Sequence, residues 1–141
     1  MKISELLRSR RYSLSFEVFP PKTYSLFESV KSSTEEIAKL SPSFMSVTYG
    51  AGGGTSDYTL AMAKNIKEQY GVPSLAHLTC ISSTKQTVEP MIHSFQDAGI
   101  ENIMALRGDI PKERLNDDRT LWDYRYAVDL IRDIKRIDPG F

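Results

Sequence analysis

Four times along this chain, a short run of β-branched and aromatic residues gives way to a longer stretch with apolar side chains at helical spacing. The first strand-like run, Tyr12–Phe19, stops at Pro20-Pro21. A helical pattern follows from about Tyr24 to Leu40, with Leu26, Val30, Ile37 and Leu40 near a 3.6-residue period. Phe44–Thr48 opens the second unit, and a Gly-rich loop leads to a helix expected over Ser56–Tyr70. Pro73–Cys80 opens the third, with its helix over Thr84–Ala98 closed by Gly99. Asn102–Leu106 opens the fourth, and a last helix is expected from about Leu121 to Arg136, before Pro139-Gly140. A short amphipathic segment, Ser4–Arg10, precedes them all. Strand–helix units recurring at about 30 residues predict a parallel sheet, because parallel neighbours need a crossover of about that size.

Composition narrows the class. With 141 residues and 40% hydrophobic content, the chain suffices for one domain with a core, and no linker or low-complexity stretch divides residues 1–141. Lys plus Arg and Asp plus Glu both number 18, which argues against a nucleic-acid or anionic-membrane partner. The single cysteine, Cys80, excludes an intrachain disulfide framework. The N-terminal residues lack the apolar core of a signal peptide, and no apolar run reaches membrane-spanning length, so a soluble, cytoplasmic protein is expected.

Two parallel architectures compete. A dinucleotide fold calls for G-x-G-x-x-G after the first strand, where this chain has Pro20-Pro21-Lys22-Thr23. The Gly-rich loop Gly50–Ser56 follows the second strand instead. It has Thr55 in place of the third glycine, no acidic residue about 20 positions on, and no Lys before Thr55 or Ser56 to make a Walker loop. Period-two alternation favours a barrel. It places Ser13, Ser15 and Glu17 opposite Tyr12, Leu14, Phe16 and Val18, then Ser46 and Thr48 opposite Met45 and Val47, then His77 and Thr79 opposite Ala76, Leu78 and Cys80. The fourth strand is apolar and delivers Arg107-Gly108-Asp109 just past its end. Each strand thus turns polar toward its C-terminal end, where (β/α)8 barrels gather their chemistry.

Within that pattern Glu17 stands out. An ionised carboxylate amid Phe16, Val18 and Phe19 is costly to bury unless paired, so it is either one member of an ion pair across the fold or a group in a site that uses it. His77-x-x-Cys80 suggests no metal centre, because alternation puts the two on opposite faces and no further ligands complete a set. Cys80 reads as a small buried hydrophobe and His93 as a helix residue.

The strings "SFEVFPPKT", "SVTYGAGGGTSDYT", "AHLTCI" and "IMALRGDIP", in this order from Ser15 to Pro111, resemble the methylenetetrahydrofolate reductase family. The resemblance implies an α/β fold of the (β/α)8 TIM-barrel type, with only the first four βα units in this chain, an N-terminal half-barrel. It implies flavin-dependent reduction of 5,10-methylenetetrahydrofolate to 5-methyltetrahydrofolate, with FAD as cofactor and a folate and a reduced nicotinamide as partners. Glu17 matches the family's general acid, which protonates the folate as its five-membered ring opens. Thr48, Tyr49 and Ala51 match a flavin-contacting segment, His77 a flavin-contacting histidine, and Leu106, Arg107, Gly108 and Asp109 the family's L-R-G-D. There Asp109 opposes the anionic reduced flavin, and Arg107 offers planar donors to a phosphate or carboxylate. Tyr126 and Ala127 align with a further flavin-contacting pair, the alternative being helix core beside Ile131. Gly52-Gly53-Gly54 depart from the bulkier residues of many relatives. A different reading keeps the fold without the activity: a catalytically silent half-barrel that self-associates as a homo-oligomer, or pairs with a C-terminal half, and binds no flavin.

Overall fold

The computed structural model describes residues 1–21, 23–49, 56–81 and 83–141. Helix α1 (Ile3–Ser9) leads into strand β1 (Ser15–Val18). A 3₁₀ turn (Tyr24–Leu26) runs on into α2 (Phe27–Ala38), followed by β2 (Phe44–Val47), α3 (Ser56–Tyr70), β3 (Ser74–Thr79), α4 (Lys85–Asp97) and β4 (Ile103–Leu106). Two 3₁₀ turns, Lys112–Arg114 and Arg119–Leu121, precede α5 (Ala127–Ile137). The four strands form one sheet in the order β1-β2-β3-β4, every neighbouring pair parallel. Sequence order and spatial order coincide, as expected when each helix returns the chain to the adjacent strand.

The apolar face of the alternation builds the core. Val18, Met45, Val47, Ala76 and Leu78 are buried against Met62, Ala63 and Ile66 of α3, Val88, Ile92 and Phe95 of α4, and Leu130 and Ile134 of α5. Burying a side chain of the Val, Leu or Met class is worth about 1.5–3 kcal/mol, so this one face supplies most of what holds the sheet to its helices. Helix α4 begins where Thr84 Oγ1 accepts from Thr87 N and Thr87 Oγ1 accepts from Thr84 N, a reciprocal cap. Helix α1 is fastened to the N-terminal end of β4: Ile3 N donates to Asn102 Oδ1 at 2.9 Å, and Lys2 Nζ to Glu101 O at 2.8 Å.

Two expectations need correction. Strand β1 begins at Ser15, and Tyr12 and Leu14, placed by alternation on the covered face, are 78% and 59% exposed. The last helix begins at Ala127 rather than Leu121. Asp118 turns the chain instead: its Oδ1 accepts from Thr120 N at 2.9 Å and from Thr120 Oγ1 at 2.7 Å, an Asx-turn that satisfies the backbone locally. The true helix start is held by Asp129, whose Oδ2 accepts from Arg125 N and Tyr126 N.

Candidate active site at the C-terminal end of the sheet

The parallel register brings the polar residues of three strands together. Glu17 lies opposite Ser46, and Ser46 opposite Leu75, so His77 sits two residues further along β3 on the same face. Glu17 reaches diagonally across β2: its Oε2 lies 4.0 Å from His77 Nε2. The two partners differ in environment. His77 is 6% exposed, while the Glu17 side chain is 48% exposed. The dehydration of Glu17 expected from its hydrophobic neighbours is therefore not provided by them. Val18 joins the core on the opposite face, and Phe19 is 66% exposed.

His77 Nε2 is buried and, among the described residues, has no hydrogen-bond partner. Burial disfavours the imidazolium and lowers the His77 pKa, while the nearby Glu17 pulls in the other direction and does not cancel it. The ring thus stands neutral at the floor of the site, with one nitrogen unanswered.

The rim comes from the segments that follow the strands. Thr48 N donates to Val18 O at 3.0 Å, and Thr48 O accepts from Thr59 Oγ1 at 2.8 Å, which pins the exit of β2 to α3. Tyr49, half-buried, has its phenol pKa raised by burial and secondarily by Asp57. Beyond β4, Cys80 N donates to Leu106 O at 2.9 Å and Ile81 N to Arg107 O at 2.8 Å, extending the parallel pairing past both strands. Gly108 then turns with φ +80°, where a Cβ would meet Ile81 Cγ2 at 2.9 Å and Thr79 Cβ at 3.2 Å. Only glycine holds that close approach without strain, and the turn leaves Arg107 and Asp109 exposed on either side of it.

Glu17, Thr48, Tyr49, His77 and Leu106–Asp109 therefore gather at one end of one sheet. Tyr126 stands further out. It is 62% exposed at the N-cap of α5, so it is not helix core, and Ile131 is 45% exposed as well. Ala127 opens the helix, half-buried. Ala51 and Gly52–Gly54 lie outside the described residues. No group of three or more His, Cys, Asp or Glu suited to a metal occurs among the described residues. The sequence reading missed the loop ahead of α5, where Arg119, Trp122 and Arg125 line a pocket together with Arg107. The Asp-x-Thr turn signal at Asp118 marks it as loop.

Comparison with known proteins bears on this geometry. The sequence model of the family "Methylenetetrahydrofolate reductase" matches residues 2–141. The chain belongs to the methylenetetrahydrofolate reductase family. It is 39% identical over 127 residues to the 5,10-methylenetetrahydrofolate reductase of Pectobacterium carotovorum subsp. carotovorum, covering 90% of this chain and 41% of that protein. To the enzyme of Escherichia coli (strain K12) it is 35% identical over 125 residues, covering 89% of this chain and 40% of that one. A Zea mays relative named methylenetetrahydrofolate reductase (NADH) 1 is 33% identical over 134 residues, 95% of this chain and 23% of the relative. The chain thus spans about two fifths of the length of its bacterial relatives. Among the described residues, no helix is long and apolar enough to cross a membrane.

Proposed function

We propose that residues 1–141 are the first half of the (β/α)8 barrel of a methylenetetrahydrofolate reductase and carry its general acid together with half of a flavin site. The observation that carries this reading is the approach of Glu17 to a buried His77, whose Nε2 has no hydrogen-bond partner among the described residues, on the polar face of the sheet at its C-terminal end. The donor set suits a flavin. His77 Nε2 awaits a polar partner, Gly108 keeps the backbone after β4 close to β3, and Arg107 and Asp109 flank that turn with opposite charges.

When bound, FAD in its reduced form would supply the hydride for the reduction. This chain's part is proton delivery and orientation. Glu17 faces the open side of the sheet, where a folate would arrive, and donates a proton from its carboxyl to the folate nitrogen that departs as the five-membered ring opens. Covering of that face by the remaining strands and the substrate would remove water from Glu17. His77, whose neutral form is favoured by burial, donates to or accepts from the cofactor. Asp109 places a negative charge against one that grows as the cofactor is reduced, and so sets its potential. Arg107 holds an anionic group of the bound molecules. Thr48, Tyr49, Leu106, Tyr126 and Ala127 line the cofactor's path, and Ala51 contributes to the same flavin-contacting segment by its match to the family's motif. The electron donor is a reduced nicotinamide, as the name of the maize relative specifies for that protein.

The test is direct. Flavin bound by a chain of the relatives' full length should show its visible band, bleach with a reduced nicotinamide, and return on addition of 5,10-methylenetetrahydrofolate. A flavin that forms and bleaches but is not reoxidised by that folate would refute the substrate. A full-length protein with no flavin would refute the cofactor.

A further inference from the structure

At the N-terminal end of the sheet, away from the candidate active site, α1 and the segments entering β2, β3 and β4 border a pocket of about 430 Å³, within the range of small-molecule sites. Ser74, the first residue of β3, lines it and is 2% exposed, yet its Oγ has no hydrogen-bond partner among the described residues. A buried hydroxyl left unanswered is destabilising, so this one calls for a partner from outside the fold. Neighbouring polar groups are already engaged. Ser43 Oγ accepts from Leu14 N at 3.3 Å, and Asn102 Nδ2 donates to Ser74 O and Met1 O, each at 3.2 Å.

The uncompensated charges on the wall are positive. Glu101, the one carboxylate among the described lining residues, is held by the amino group of Met1. Lys67 donates to Gly99 O, which leaves its other ammonium protons uncommitted. Arg10, exposed just past the end of α1, has no ion pair among the described residues. Helix carbonyls would oppose an anion here, since α3 and α4 end on this side. Both ends are closed by backbone bonds: Gly71 N donates to Lys67 O at 3.0 Å, and Gly99 N to Gln96 O at 2.8 Å. Guanidinium, ammonium and hydroxyl donors without a free carboxylate match the oxygens of a phosphate. Leu6, Val72, Pro42 and Pro73 on the same wall offer apolar surface to a small organic body.

We propose that this pocket binds the phosphate group of a small molecule, with Arg10 and Lys67 holding the oxygens and Ser74 Oγ donating to one of them. The shared chemistry has two sources, free phosphate and a small phosphorylated metabolite. The pocket lies at the opposite end of the sheet from Glu17 and His77, and the proposal does not depend on the function proposed above.

Inorganic phosphate and glycerol phosphate are titrated into the full-length protein by calorimetry, with FAD present to fill a flavin site and chloride holding the ionic strength constant. Both should bind saturably at or below millimolar concentration. Arg10→Gln and Ser74→Ala should each weaken that binding about tenfold to a hundredfold, the usual worth of a hydrogen bond to a charged group. Arg8→Gln removes the same charge from α1 but lies off the pocket wall, and should leave the affinity nearly unchanged. Ser74→Ala has a second readout without ligand. Deleting an unanswered buried hydroxyl should leave the thermal midpoint in chloride at or above the wild-type value, whereas deleting one with a partner inside the fold lowers it. Such a lowering would overturn the proposal. So would the lack of saturable binding of both probes at millimolar concentration, or binding that survives Arg10→Gln and Ser74→Ala alike. Tighter binding of glycerol phosphate assigns the pocket to a phosphorylated metabolite; tighter binding of inorganic phosphate assigns it to the free ion.

Discussion

Gly108→Ala probes the turn that carries Arg107 and Asp109, and the structure supplies its own reference. Gly108 has φ +80°, and an added Cβ would come within 2.9 Å of Ile81 Cγ2 and 3.2 Å of Thr79 Cβ. Gly71, after α3, has φ +65° with nothing within 4 Å of the added atom. Alanine at Gly71 should cost only the left-handed backbone, about 1–2 kcal/mol. Alanine at Gly108 should cost the same plus an overpacking term of about 1–3 kcal/mol, because Ile81 is 2% exposed and β-branched and has little room to retreat. The sum is about 2–5 kcal/mol. Urea denaturation followed by circular dichroism should show a lower midpoint for both variants at an unchanged slope, with Gly108→Ala clearly the lower. Flavin affinity of the full-length protein should fall for Gly108→Ala alone, since only that turn touches the site. Equal losses for the two alanines would refute the close-packing argument.

Acidification should destabilise the protein through His77. Its folded pKa is lowered by burial, so the unfolded chain binds the proton first, and stability is lost as pH falls below the ordinary imidazole value of about 6.5. His77→Gln should flatten the pH dependence of the urea midpoint in that window and leave the part below pH 4, where carboxylates titrate, unchanged. Tyr124→Phe removes the hydroxyl that donates to Asp133 Oδ2 at 2.8 Å from a residue 2% exposed. Since Arg136 still serves Asp133, the loss should be limited to about 1–2 kcal/mol in the same denaturation assay. Asp109→Asn should raise the flavin's reduction potential, measured by dye equilibration in the full-length protein, because it removes a charge opposing reduction. The 141 residues alone should associate, with β1 and β4 as sheet edges and Met104 38% exposed on the uncovered face; sedimentation at micromolar concentration checks this.

The repeating strand–helix pattern made the sheet legible, because residues such as Met45 and Val47 can satisfy their alternation only with helices on one side. The convergence of Glu17, Thr48 and His77 was legible for the same reason: alternation fixes a face, and parallel strands align their ends. What the sequence did not reveal was distance. That Glu17 reaches His77 across an intervening strand depends on register, and neither residue's neighbours in sequence encode it. The exposure of Glu17 was misjudged because Phe16 and Val18 are adjacent in sequence but project to the opposite face. The last helix, expected from about Leu121, begins at Ala127. Asp118 and Asp129, through short side-chain bonds to backbone amides, set the actual turn and helix start.

The role of Glu17 is the centre of this account, and separating the two half-reactions of a full-length Glu17→Gln reductase tests it most directly. Stopped-flow absorbance follows reduction of the bound flavin by the nicotinamide, then its reoxidation by 5,10-methylenetetrahydrofolate. The account predicts near-normal reduction and a reoxidation rate lowered about 10²–10⁴-fold, the usual worth of a general acid. Reoxidation close to the wild-type rate would show that the proton comes from elsewhere.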